Sequence, residues 1–174
     1  LPPGEQWRLI TASFFNGSIG GCGKVIGTSS WEQITVLDLP GAIEFDASFN
    51  RGNDCVVLPG EASRWMVRQQ GSGAVFSDGD TTVTIPVGTT GMAVGFVDGL
   101  RTLVYDADAA TMKIGTQAFD TSAVTVTALT DGTKLPPDTM GGSAKLFMAE
   151  GGVVSAGGRI DVFGTIGGED VTLV

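Results

Sequence analysis

The chain has 174 residues, 42% hydrophobic and 17% charged, with 27 Gly and with 10 Lys and Arg against 19 Asp and Glu, for a net charge of -9. So apolar a composition excludes intrinsic disorder, and the acidic field repels phosphate backbones and anionic lipid, so no nucleic acid is expected as a partner. An apolar run of about 20 residues, the length of a membrane span, is absent, and a chain with no His has no Ser-His-Asp triad, no Cys-His dyad and no His-ligated metal.

The first residues, Leu1-Pro2-Pro3-Gly4, lack the charged and apolar stretches of a leader and read as a processed or excised chain. With low charge and abundant Gly and Thr, this predicts an extracellular or cell-surface location. Strands are then predicted almost throughout. Trp31 to Leu39 and Ala42 to Phe45 carry β-branched and aromatic residues around the turn Pro40-Gly41, and Cys55 to Leu58 ends at Pro59-Gly60. Arg64 to Arg68 alternates, with Trp65 and Val67 on one face. Gly71-Ser72-Gly73 turns the chain into Ala74 to Ser77. Thr81 to Val87 alternates with Val83, Ile85 and Val87 inward, and Pro86 places it at an edge or ends it. Met92 to Val97 and Arg101 to Tyr105 flank the hairpin turn Asp98-Gly99. Asp106 to Ala110 reads as a turn, Thr111 to Gly115 and Ala123 to Leu129 as strands, and 130 to 142 as a linker. This regular spacing predicts an all-β, antiparallel sandwich-like module, with a β-solenoid as the alternative.

The ends of the chain resemble each other. Val25-Ile26-Gly27-Thr28 through Leu37 returns at an offset of 137 residues as Val162-Phe163-Gly164-Thr165 through Val174, five of 13 positions being identical. At the same offset Arg8-Leu9-x-x-Ala12 matches Lys145-Leu146-x-x-Ala149. The expected organisation is therefore a β-rich repeat module at 1–137 and the start of a second copy at 138–174. The apolar stripe of Val25, Ile34 and Val36 corresponds to Val162, Val171 and Leu173. The second copy stops before any counterpart of the strands from Ala42 onward, so its sheet is expected to have an open edge. Val162, Phe163, Val171 and Leu173 are then the expected interface with a neighbouring subunit, joined by strand addition.

Chemistry has fewer candidates. Cys22 and Cys55, the only cysteines, have no zinc-ligand spacing, and a disulfide between them is expected. Asp78 with Asp80, and Asp106 with Asp108, sit two apart at predicted turns, where turn chemistry explains them better than acid/base work. Asp78 and Asp80, or Asp46, Asn50, Asn53 and Asp54, offer hard oxygen ligands, which makes Ca2+ a possible ligand without an EF-hand pattern. Trp7, Trp31 and Trp65 suit either a core or a platform for a surface glycan. Asn16-Gly17-Ser18 matches a glycosylation acceptor and reads as a turn.

Three stretches carry a resemblance: Phe45-Asp46-Ala47-Ser48-Phe49-Asn50-Arg51-Gly52-Asn53-Asp54, then Leu58-Pro59-Gly60-Glu61-Ala62-Ser63-Arg64-Trp65, then Phe96-Val97-Asp98-Gly99-x-x-Thr102-Leu103. Over residues 20 to 115 the chain resembles the Gly, Asp and Thr-rich β modules of large secreted bacterial surface proteins, adhesin-like and type-I-secreted. The resemblance implies a structural or adhesive role. The glycine-rich nonapeptides that bind calcium in some of those proteins are absent, and their metal chemistry does not carry over. The expected function is that of a non-enzymatic structural subunit of a filament, surface layer or adhesin repeat, whose partners are copies of itself. The alternative is a carbohydrate- or calcium-binding β module.

Overall fold

The structure, a computed structural model, describes residues 6–51, 53–129, 143–147, 152–156 and 159–163. Glycine decides how the chain begins to wind. β1 (Trp7–Thr11) leads into β2 (Asn16–Ile26), an 11-residue strand with Gly20-Gly21 at its middle. Gly21 has φ +83°, a left-handed conformation that side-chain-bearing residues adopt at a penalty. The strand changes sheet at this corner.

From there the chain lands alternately in two sheets. In the first, β1, the C-terminal half of β2, β4 (Gly41–Phe45) and β8 (Thr81–Pro86) run parallel, and Trp7, Gly23, Ile43 and Val83 form one row across them. In the second, the N-terminal half of β2, β3 (Gln33–Val36), β5 (Cys55–Val57) and β9 (Met92–Phe96) run parallel, with Gly17, Ile34, Val56 and Val94 in one row. Each circuit through both sheets is one coil of a β-solenoid.

The later coils are widened by hairpins. β6 (Met66–Gln70) and β7 (Gly73–Ser77) extend the first sheet beyond β8, and β13 (Val124–Thr125) closes on β6. β10 (Gly99–Asp106), β11 (Thr111–Ile114) and β12 (Gln117–Phe119) continue the second sheet as an antiparallel meander beyond β9. At the opposite end stand β14 (Ser143–Phe147), β15 (Gly152–Ala156) and β16 (Arg159–Phe163).

A single core runs between the sheets, built on Trp7, Phe15, Ile34, Phe45, Trp65, Phe76 and Phe96. Alternation read from the sequence matches this burial: Trp65 and Val67 are buried while Met66 is exposed, and Val83 and Ile85 point into the core. Pro86 closes β8, a strand paired on both sides, and so marks its end. The antiparallel sandwich, however, gives way to the solenoid. Alternation reports which face is buried and is silent on whether the neighbouring strand runs parallel.

The expected disulfide is corrected too, since Cys22 and Cys55 are free thiols. Cys55 pairs with Gln33, and Gln33 with Asn16, at the far end of β2 from Cys22. At roughly 3.3 Å of rise per residue the two cysteines are separated along β2 by far more than the ~7 Å Cα limit for a bridge. Native alkylation followed by mass spectrometry is expected to modify the half-buried Cys22 and leave Cys55, whose thiol burial and the adjacent Asp54 push up to about 11. An unreduced mass two protons below the reduced mass would overturn this.

Candidate assembly interface

The two similar ends of the chain meet. β14 pairs parallel with β16 in the register Ala144↔Ile160, Leu146↔Val162 and Phe147↔Phe163. β1 pairs parallel with β2 as Trp7↔Gly23, Leu9↔Val25 and Ile10↔Ile26. Each pair of the second set becomes the corresponding pair of the first on adding 137, so the first coil is built twice with one register.

Packing volume explains how so different a sequence repeats the pair. A Cβ on Gly23 would lie 2.0 Å from the Trp7 ring, so the indole occupies the place of a side chain at 23. In the copy the sizes are exchanged, with small Ala144 opposite large Ile160. Volume-conserving exchanges of this kind are what a core tolerates best.

The two copies then dock edge to edge, antiparallel. Leu9 faces Leu146, Arg8 faces Phe147 and Ile10 faces Lys145. Since Lys145 is the counterpart of Arg8 and Phe147 that of Ile10, position 8 meets the counterpart of 10 and position 10 meets the counterpart of 8. The second sheet behaves likewise: Ser18 faces Ser155, Gly17 faces Ala156 and Ile19 faces Val154, where Ala156 is the counterpart of Ile19 and Val154 that of Gly17. Such reciprocity defines an isologous contact about a two-fold axis. Here the axis passes between Leu9 and Leu146, which are 0% and 4% exposed, and between Ser18 and Ser155.

Val162 and Phe163, expected at a contact with another subunit, are thus paired inside the chain, in β16 against β14. Val171 and Leu173 lie outside the described residues. Nothing in the sequence alone marks Leu9 and Ser18 as contact centres or Trp7 with Gly23 as a packing pair. One signal of the duplication was present: Gly20-Gly21 of the β2 corner recurs at the same offset as Gly157-Gly158.

The other candidate residues do not converge. Asp78 Oδ1 accepts from the backbone N–H groups of Asp80 and Thr81 at 3.2 and 2.9 Å, and its Oδ2 lies 2.7 Å from Arg64 Nη2, while Asp80 is exposed on the turn. Asp46 caps the 3-10 turn Ala47–Asn50 through Ser48, and Asp106 caps its own turn and pairs with Lys113. Asn53 is exposed and Asp54 is buried. Among the described residues no three Asp, Glu or Cys side chains gather as a metal site. Trp7 and Trp65 are buried, each indole N–H donating to a carbonyl, Gly20 at 3.0 Å and Pro59 at 2.9 Å, which leaves half-buried Trp31. Asn16 is a buried strand residue rather than part of an open turn. A shallow groove of about 130 Å³ on the first sheet, between Gln6, Glu44 and Thr84, brings no acid/base pair together.

One acidic pair does stand apart. Glu32 and Asp54 are both 0% exposed; the Glu32 N–H donates to Asp54 Oδ1 at 2.9 Å, and Thr28 donates its N–H and hydroxyl to the Glu32 carboxylate. Burial pushes the Glu32 carboxyl up against the pull of the Thr28 hydrogen bonds, and the Asp54 carboxylate adds to the rise. The folded chain therefore holds this proton more tightly than the unfolded chain. The stability it contributes is full below the ordinary carboxylate range and is lost as pH rises through the raised value. Glu32→Gln keeps an acceptor for Thr28 and offers Asp54 a donor. Thermal unfolding is expected to find the variant equal to the parent near about pH 4 and more stable at about pH 7; equal stabilities at both would contradict the assignment.

No protein-family model, curated protein or solved structure matches the chain.

Proposed function

We propose that the chain is a non-enzymatic structural subunit of an extracellular or cell-surface assembly, self-associating by β-strand addition. The observation that carries this reading is the reciprocal register between the first coil and its copy, in which one β edge recognises a second version of itself through the main-chain ladder. Main-chain pairing supplies affinity, and alternate side chains set the register. The unequal lengths of the coils and the acidic, Gly- and Thr-rich composition suit a module repeated in a larger body. The capped and ion-paired state of Asp46, Asp78 and Asp106 supports a non-catalytic reading, as does a chain without His.

Light scattering coupled to size exclusion over a concentration series, with negative-stain electron microscopy of the same samples, tests it. A mass that rises with concentration and discrete particles of regular shape are expected. A monodisperse monomer at every concentration would end the proposal.

A further inference from the structure

We infer that the edge formed by β1 and the N-terminal half of β2 is a homotypic docking edge, whose partner in trans is the same edge of a second copy of this chain. The inference rests on the self-assembly reading above and names the contact that it uses.

The geometry is carried by the register within the chain. A contact in which position 8 meets the counterpart of 10, and 10 the counterpart of 8, is unchanged in form when the copy is replaced by the original. Leu9 then meets Leu9 of the second copy and Ser18 meets Ser18, so the two residues on the axis are the same ones already seen there, Leu against Leu and Ser against Ser. Charge is compatible as well. Arg8 faces Phe147 and Lys145 faces Ile10, so neither cation sits opposite another, and between two original edges each Arg8 faces an Ile10. Volume is compatible because each coil brings its own large-small pair, Trp7 with Gly23 or Ala144 with Ile160. Within one chain β14 and β15 occupy the edge, so they compete with a second copy for it.

The test uses the full chain. Leu146→Asp places a charge at the 4%-exposed centre of the β14 contact and undocks the copy. Ser18→Cys, in a Cys22→Ser background, then places a thiol on the two-fold axis, where directly opposed side chains of an antiparallel pair come within about 5 Å. Under mild oxidation the expected result is a doubled mass, with the cross-link mapping from residue 18 to residue 18 of another chain. Ser155→Pro, at an exposed position of β15, removes a ladder donor and gives the same readout by a second route. Without either undocking change, Ser18→Cys with Ser155→Cys is expected to cross-link inside one chain.

A folded variant that stays monomeric with a free thiol at position 18 overturns the inference. So does association without that cross-link, although self-assembly through another surface then survives. If neither the parent nor any variant associates, both readings fall.

Discussion

Arg101→Ala is expected to lower the unfolding free energy by about 3–5 kcal/mol, the range for removing one partner of a buried ion pair. The Arg101 side chain is 3% exposed and that of Asp98 14%, with Nη2 2.8 Å from Oδ2. Its other hydrogen bonds go to the carbonyls of Gly99 and Thr127, at 3.2 and 2.6 Å, and the guanidinium lies 5.0 Å from the centre of the Phe96 ring. Asp98 also accepts from the N–H groups of Ala62 and Leu129, both at 3.0 Å. The pair thus ties the β9–β10 hairpin to the turn before β6 and to the chain after β13. Removing the guanidinium leaves a carboxylate buried without its counter-charge. Urea denaturation at neutral pH measures the loss, and a change below about 1 kcal/mol, the value of an exposed pair, would refute the account.

The same pair gives the loss a pH dependence. Burial pushes Asp98 up, but the hydrogen bonds from Arg101, Leu129 and Ala62 outweigh it and hold the carboxyl at about 2. A lowered folded value means that the stabilisation is present above the ordinary Asp range and is lost as pH falls towards about 2. The difference between parent and Arg101→Ala is therefore expected to narrow on acidification.

Trp7→Ala is expected to destabilise by about 3–5 kcal/mol, the range for truncating a buried large aromatic. Trp7 is 0% exposed and its indole N–H bonds the Gly20 carbonyl at 3.0 Å. Gly23→Ile alone is expected to prevent native packing, because even its Cβ would stand 2.0 Å from the ring. The double variant recreates the Ala144 and Ile160 pair of the copy, at the same register, and is expected to recover part of the loss. A double-mutant cycle measures that coupling. Strict additivity would show that the copy's pair is not interchangeable with the original.

That exchange also explains what was legible beforehand. β3 to β11 announced themselves through apolar runs, alternation and turn pairs such as Asp98-Gly99, because a half-buried strand writes its burial into every second residue, whereas the three residues of β12 are too few to show a pattern. β2 did not, since a strand containing Gly17, Gly20, Gly21 and Gly23 shows no alternation, and its conformation answers to a sheet corner and to the Trp7 ring. Parallel order stayed hidden because the coils differ in length and one holds the β6–β7 hairpin, leaving no short period to find. The duplication was legible as an offset of 137, but its two-fold docking was not, because which edges meet is decided by the folded coil. The cysteine pairing failed for a similar reason: counting thiols ignores the register that sets Cys55 level with Asn16, at the start of β2, while Cys22 lies beyond the glycine corner.

β2 pairs with β1, β3, β4 and β15, two strands in each sheet. β2 itself cannot leave one of these ladders without disturbing the others, whereas β15, on the outside, can leave β2 with its pairings to β1, β3 and β4 intact. Amide protons of β2, β3 and β4 should therefore exchange with solvent as one cooperative unit, at a common opening free energy. The β10–β12 meander is held elsewhere, by β6 and the chain around β13: Gln69 donates to the Asp120 carbonyl, and the Gln117 amide pairs with Thr125 and Thr127. The glycine corner that lets one strand serve two sheets thereby sets how the molecule comes apart: the coils built on β2 open together, in one step.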